Sequence, residues 1–193
     1  LQTHRQEVQH ALPGTRVAAN LAGVAVEDIG RGQVLAPPGR ITAVRAFDAL
    51  VHALPGRAVR HNLRVSVHVG SAEVQGRVRV LGTTFPGEAV EAHRDEIAGD
   101  TSGWGQVILA APIAAVPGDL FVLRLSDETV GGGRVVEVNP PRHRRHHTAT
   151  LERLEAQATG TPTSRIIAAL ERREPATAAV LRAAVEISAE DFD

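Results

Sequence analysis

Residues 142 to 147 read Arg-His-Arg-Arg-His-His, six consecutive side chains that carry or can carry positive charge. Two roles suit such a run. Arg142, Arg144 and Arg145 can hold phosphate oxygens through their planar, permanently charged forks, or the run can fold back and cap acidic residues of a barrel wall. The sequence leaves both open. His143, His146 and His147 superficially offer metal-ligand spacing, but the intervening arginines repel a cation and no cysteine or carboxylate completes the set, so no metal is expected. Asp95 and Glu96 are adjacent carboxylates in a polar stretch, where solvation explains them, and nowhere do a nucleophile, a base and an orienting group fall in a recognisable arrangement. Catalytic residues are therefore not expected. Trp104, the only tryptophan, has no aromatic neighbour with which to form a base-stacking platform and reads as core or barrel rim.

Composition narrows the classes further. Across 193 residues the formal net charge is only −1, so a polyanionic partner would have to be met by a local patch rather than by the whole surface. There is no cysteine, which excludes a disulfide framework, thiolate metal ligands and a cysteine nucleophile and fits a reducing, cytoplasmic setting. All 21 basic residues are arginine. Base composition accounts for that bias as readily as function does, but one consequence is firm: without lysine the chain holds no phosphate-binding loop of the G-x-x-x-x-G-K-[ST] type. No apolar run approaches the roughly 20 residues of a membrane span, and residues 1 to 10 lack the apolar centre of a signal peptide.

The elements that must carry these residues are mainly strands. Residues 15 to 24 and 31 to 39 read as two strands joined by a polar turn, with Pro37, Pro38 and Gly39 as a boundary. Between 40 and 139 six alternating segments, RAFDALVHAL, NLRVSVHVG, AEVQGRVRVL, WGQVILAA, DLFVLRL and GGRVVEV, are separated by turn residues and suffice to close an antiparallel barrel. The insert from 83 to 103 reads as a loop with a helical turn near GEAVEAHRDE. Pro140 and Pro141, which cannot donate ladder hydrogen bonds, end the last strand. A helix is then expected over 148 to 160, a second after the Thr161-Pro162 cap, a third after Pro175, and the start of another at the SAEDFD end. The expected organisation is thus 1–39, 40–139, 140–160 and 161–193.

Three stretches carry a family resemblance. RVAANLAGVAVEDIGRGQVLAPPG (16 to 39) resembles the closing strands of domain II in elongation factor Tu-like translational GTPases, with their R-G-Q-V-L strand. LRVSVHVGSAEVQGRVRVL and AAVPGDLFVLRLSDETVGGGRVVEVNPPRHRR resemble domain III of that group, and the tail GGGRVVEVNPPRHRR is most similar to the selenocysteine-specific elongation factor (SelB) family. The helical part then resembles the linker and first winged-helix repeat of that family's C-terminal extension.

The resemblance implies a mainly β fragment: the end of a domain II barrel, a complete six-stranded domain III barrel and a truncated winged helix. It implies a tRNA-binding role in delivering selenocysteinyl-tRNA to the ribosome at recoded UGA codons, with GTP and magnesium bound by a G domain outside this chain and an mRNA hairpin bound by winged helices beyond it. It places Gln2, His4 and Arg5 beside the terminal adenosine and ester of the tRNA, and Arg16 where elongation factor Tu has a turn asparagine. An arginine there favours a selenolate over a neutral serine side chain. The loop of residues 125 to 133 corresponds to the region that meets the T-stem backbone, where Gly131 and Gly132 permit close approach and Arg134 adds charge; the alternative is that Gly131 to Gly133 only turn or bulge a strand. The competing function is a protein-interaction module of another translational GTPase, without selenocysteine specificity.

Overall fold

Period-two alternation gives each strand one apolar face, and a sheet of such strands that closes on itself hides that face and leaves no open edge. The computed structural model describes residues 1–3, 6–82 and 95–159. The chain divides into two compact units, Leu1–Arg31 and Gly32–Asp193.

In the first unit β1 (Gln2–Thr3) pairs antiparallel with β2 (Gln6–Glu7), and Gln2 also bridges to Ala18. A single 3-10 turn covers Val26–Asp28. The strands expected over 15 to 24 and 31 to 39 do not form. Ala18 contributes only the bridge, and residues 31 to 39 join no strand ladder. Alternation gives a segment the faces of a strand, but a ladder also needs a partner to fill its hydrogen bonds.

The second unit holds the barrel. Its strands are β3 (Ala43–Ala53), β5 (Leu63–Val69), β6 (Ala72–Gly82), β8 (Ser102–Ala114), β9 (Leu120–Leu125) and β10 (Glu128–Val138). They close in the order β10-β3-β8-β6-β5-β9, every neighbour antiparallel. All six expected segments are there. A short pair not expected from the pattern, β4 (Val59–Arg60) with β7 (Glu96–Ile97), lies beside them, and residues 83 to 94 of the predicted insert lie outside the described residues.

Inside the barrel Phe47, Val51, Val67, Val78, Val107, Phe121, Leu123 and Val135 are buried, with the Phe47 and Phe121 rings 5.1 Å apart and tilted by 60°. Each such side chain contributes roughly 1.5 to 3 kcal/mol through removal from water. Past Val138, Asn139 stops the last ladder by bonding to β3: its Oδ1 accepts from the Arg45 amide at 3.0 Å and its Nδ2 donates to the Ala43 carbonyl at 3.0 Å. Pro140 and Pro141 follow, as the sequence requires.

The chain then runs back over the outside of the barrel. A strap, residues 140 to 147, leads into α1 (Thr148–Thr159), which matches the helix expected over 148 to 160. Leu151 and Leu154 of α1 are buried against Leu81 and Trp104, with Leu50 and Val136 packed alongside. Trp104 is therefore a core residue of this outer layer. The helices expected beyond residue 160 lie outside the described residues. No helix among the described residues is long and apolar enough to cross a membrane.

Candidate nucleic-acid interface

One row of outward-facing side chains crosses four adjacent strands. Glu137 on β10 is opposite Asp48 on β3, Asp48 is opposite Gln106 on β8, and Gln106 is opposite Arg79 on β6. An outward position on a barrel strand is ordinarily wet, yet all four are buried. The strap and α1 cover them. Buried polar groups must be hydrogen-bonded, and here the strap supplies partners. Gln106 Nε2 donates to Asp48 Oδ1 at 3.1 Å and to the Pro141 carbonyl at 2.9 Å. Arg79 donates to Gln106 Oε1 at 2.8 Å and to the His143 carbonyl at 3.2 Å, and His143 Nε2 is 2.5 Å from Asp48 Oδ2. At the row's other end Arg153 of α1 donates to Glu137 Oε2 at 2.6 Å.

The basic run thus divides by function. His143 caps Asp48. Arg145 is turned inward, pairing with Asp95 and donating through Nε to the Val80 carbonyl at 3.3 Å. That pairing holds the Asp95 carboxyl below its ordinary value of 3.8, chiefly through the hydrogen bond and then through the guanidinium charge. His61 shares the corner: its Nδ1 is 3.2 Å from the same Val80 carbonyl, which can only accept, so Nδ1 carries the proton. Burial first, and then the charge of Arg145, lower its pKa from 6.5. His147 lies beside Thr150 at the start of α1, Nδ1 to Oγ1 at 3.0 Å. Only Arg142 and Arg144 among the arginines of the run are exposed, with no ion pair to a described residue.

Beside Arg79 the wall becomes open and basic. Arg64 on β5 stands directly opposite Arg77 on β6, both exposed and without an ion-pair partner among the described residues. Two like charges at directly opposed positions repel. Arg79 sits two residues from Arg77 on the same face; burial, then the charge of Arg142, then that of Arg77 push its guanidinium below its ordinary value. The next row is neutral, Ser66 opposite Gln75, and the one after it carries His68 opposite Glu73, 3.9 Å apart. Arg64 and Arg77 were not singled out from sequence. The signal was there: counting outward from the turn between Val69 and Ala72 puts them face to face.

The other residues singled out from sequence are placed as follows. Gly131 and Gly132 are not in a loop. The turn is only Ser126 and Asp127, and both glycines lie within β10, where a Cβ would come 2.5 Å from the His52 carbonyl and 2.5 Å from the Phe121 carbonyl respectively. The need for glycine there is met by the two flanking strands. Arg134 is exposed on β10 and donates to the Gly118 carbonyl at 3.0 Å. In the first unit the segments that carry Gln2 and Arg16 are joined: Gln2 exchanges backbone hydrogen bonds with Ala18 at 2.8 Å, and Thr3 Oγ1 donates to the Arg16 carbonyl at 3.1 Å. His4 and Arg5 lie outside the described residues.

Chemically, this wall offers fixed positive charge and neutral hydrogen-bonding groups on a rigid sheet, suited to a phosphate backbone. Residues 48–142 match the family model described as selenocysteine-specific elongation factor, beta-barrel domain.

Proposed function

As a chain that belongs, through this barrel, to the selenocysteine-specific elongation factor (SelB) family, it is one for which we propose the role of tRNA-binding portion of a translation factor that carries selenocysteinyl-tRNA to the ribosome at recoded UGA codons. The observation that carries this reading is the opposed Arg64–Arg77 couple, exposed and without an ion-pair partner among the described residues. A repulsion built into a rigid sheet is relieved by a bound anion, and A-form RNA is recognised largely through its backbone and shape. Arg144 and Arg134, also exposed, are further candidates for the tRNA backbone in this reading. GTP and magnesium belong, in this reading, to a G domain outside this sequence, an mRNA hairpin to winged helices, and the setting is the cytoplasm.

Arg16 is the selectivity element of the reading. Its support is that residues 2 and 3 are hydrogen-bonded to residues 16 and 18, which brings two of the amino-acid-end candidates onto one small unit. A selenol is largely anionic at neutral pH, so an arginine directed at it discriminates against serine.

The test is binding of the full chain to bulk uncharged tRNA over a series of salt concentrations. Arg64→Ala with Arg77→Ala should weaken binding and lower the slope of log K against log salt by about one per lost phosphate contact. An unchanged affinity and slope would overturn the reading and favour the protein-interaction module.

A further inference from the structure

Arg142 stands outside the sheet, yet both of its chain neighbours are fastened to the barrel wall. Pro141 before it gives its carbonyl to Gln106, and His143 after it gives its carbonyl to Arg79 and its ring to Asp48. The side chain between them stays exposed. The strap could have been fastened more simply. Within the same outer layer α1 takes most of its hold from Leu151 and Leu154 packed on Leu81 and Trp104, apolar contacts that need no buried charge. Replacing a buried ionic group by apolar side chains of similar volume is often neutral or stabilising, so stability alone does not account for burying Asp48 and Arg79 under the strap. Directional hydrogen bonds fix a backbone in position, which apolar contact does less well.

We propose that Asp48, Gln106 and Arg79 are positioning residues for Arg142: together they fix the strap on either side of it and so present its guanidinium to an RNA phosphate. This rests on the reading of the wall as RNA-facing. Pre-ordering matters because a free arginine side chain on a loose linker loses backbone and rotamer freedom when it binds, and that loss subtracts from affinity. The buried row moves the ordering cost from binding to folding.

The decisive variant is Asp48→Leu/Gln106→Leu/Arg79→Met. It removes one negative and one positive charge together, so the net charge and the long-range field are unchanged while the strap loses its anchors. With the full chain and bulk uncharged tRNA as the probe, Arg142→Ala should weaken binding about tenfold and lower the salt slope by about one. The triple variant should show the same loss and the same change of slope, and adding Arg142→Ala to it should cost little more, since the two changes remove one contact. Folding is checked by thermal unfolding and by Trp104 fluorescence. Should the triple variant fail to fold, Pro141→Gly takes its place: it loosens the exposed strap, leaves the row intact, and should reproduce part of the loss and of the slope change. Wild-type affinity in the folded triple variant, or in Pro141→Gly where the triple variant does not fold, overturns the proposal, as do losses that simply add. The double variant Arg64→Ala/Arg77→Ala separates the two ideas. If it loses affinity while the strap variants do not, only the positioning role fails; if it too binds as wild type, the RNA-facing reading itself has failed.

Discussion

Gly82 is glycine because of Leu151. A Cβ on Gly82 would lie 2.7 Å from Leu151 Cδ1, and Leu151 is buried. The last residue of β6 has therefore given up its side chain to let α1 sit on the barrel wall. Gly82→Ala should displace α1 and cost about 1 to 3 kcal/mol, the range for overpacking a filled site. The chain's single tryptophan, Trp104, lies in the same cluster, so chemical unfolding followed by its fluorescence reads the effect directly. An unchanged midpoint would mean that the Leu151 side chain yields without loss and that its packing does not require glycine at position 82.

Gly131 and Gly132 give a test of their two possible roles. Each would drive a Cβ against a backbone carbonyl of a neighbouring barrel strand, which cannot yield as a side-chain tip does. Gly131→Ala and Gly132→Ala should lower the thermal midpoint, with a cost of about 1 to 3 kcal/mol, while the salt slope of tRNA binding by the folded fraction stays as in the wild type. A lowered slope in a stably folded variant would assign these glycines to the RNA contact instead.

The His61 corner makes stability depend on pH. Because its folded pKa lies below the ordinary 6.5, the unfolded chain binds the proton more readily, and stability rises with pH across that interval. The contribution is complete above 6.5 and is lost as the pH falls from there through the lowered folded value. Protonation there adds a third cation to the field of Arg145 and Arg79, against which the Val80 carbonyl and Asp95 act. His61→Asn keeps a donor for the Val80 carbonyl and removes the titration. Thermal midpoints measured from neutral pH downward should fall less steeply in the variant, and parallel curves would remove His61 from the account.

The barrel strands were legible because everything that defines them is local: alternation along each segment, and glycine, proline or aspartate at each joint. The strands expected in residues 15 to 39 were not, because pairing is a property of two segments and the pattern reports only one. The polar row escaped for a related reason. Asp48 within RAFDALVHAL and Gln106 within WGQVILAA each read as a solvent-facing residue of its own strand. That they line up with Arg79 and Glu137 depends on the register of four strands, shifted by irregularities at Val44/Ala46, Val80/Gly82 and Val135/Glu137 that no local pattern displays. The basic run was visible in full, but which of its members turn inward was not. Arg145 and His143 are claimed by Asp95 and Asp48, residues 50 and 95 positions away.

The opposed arginines of β5 and β6 set stability against function, and one substitution tests both sides. Like charges at directly opposed positions of an antiparallel pair are destabilising, whereas opposed favourable pairs contribute roughly 0.2 to 1 kcal/mol. Arg77→Gln keeps a long polar side chain on the exposed face and removes the repulsion with Arg64 and the unfavourable field on Arg79. The variant should therefore unfold at the same temperature as the wild type or slightly above it. Its affinity for tRNA should nevertheless fall, with the salt slope reduced by about one, because a phosphate contact has gone. Inorganic phosphate provides an independent readout: an anion held between Arg64 and Arg77 raises the wild-type midpoint through binding to the folded state alone, and that rise should shrink in the variant. A wall that serves only to display solvated charge predicts a different pattern, in which the variant gains its small stability, the phosphate effect persists and tRNA binding is unmoved.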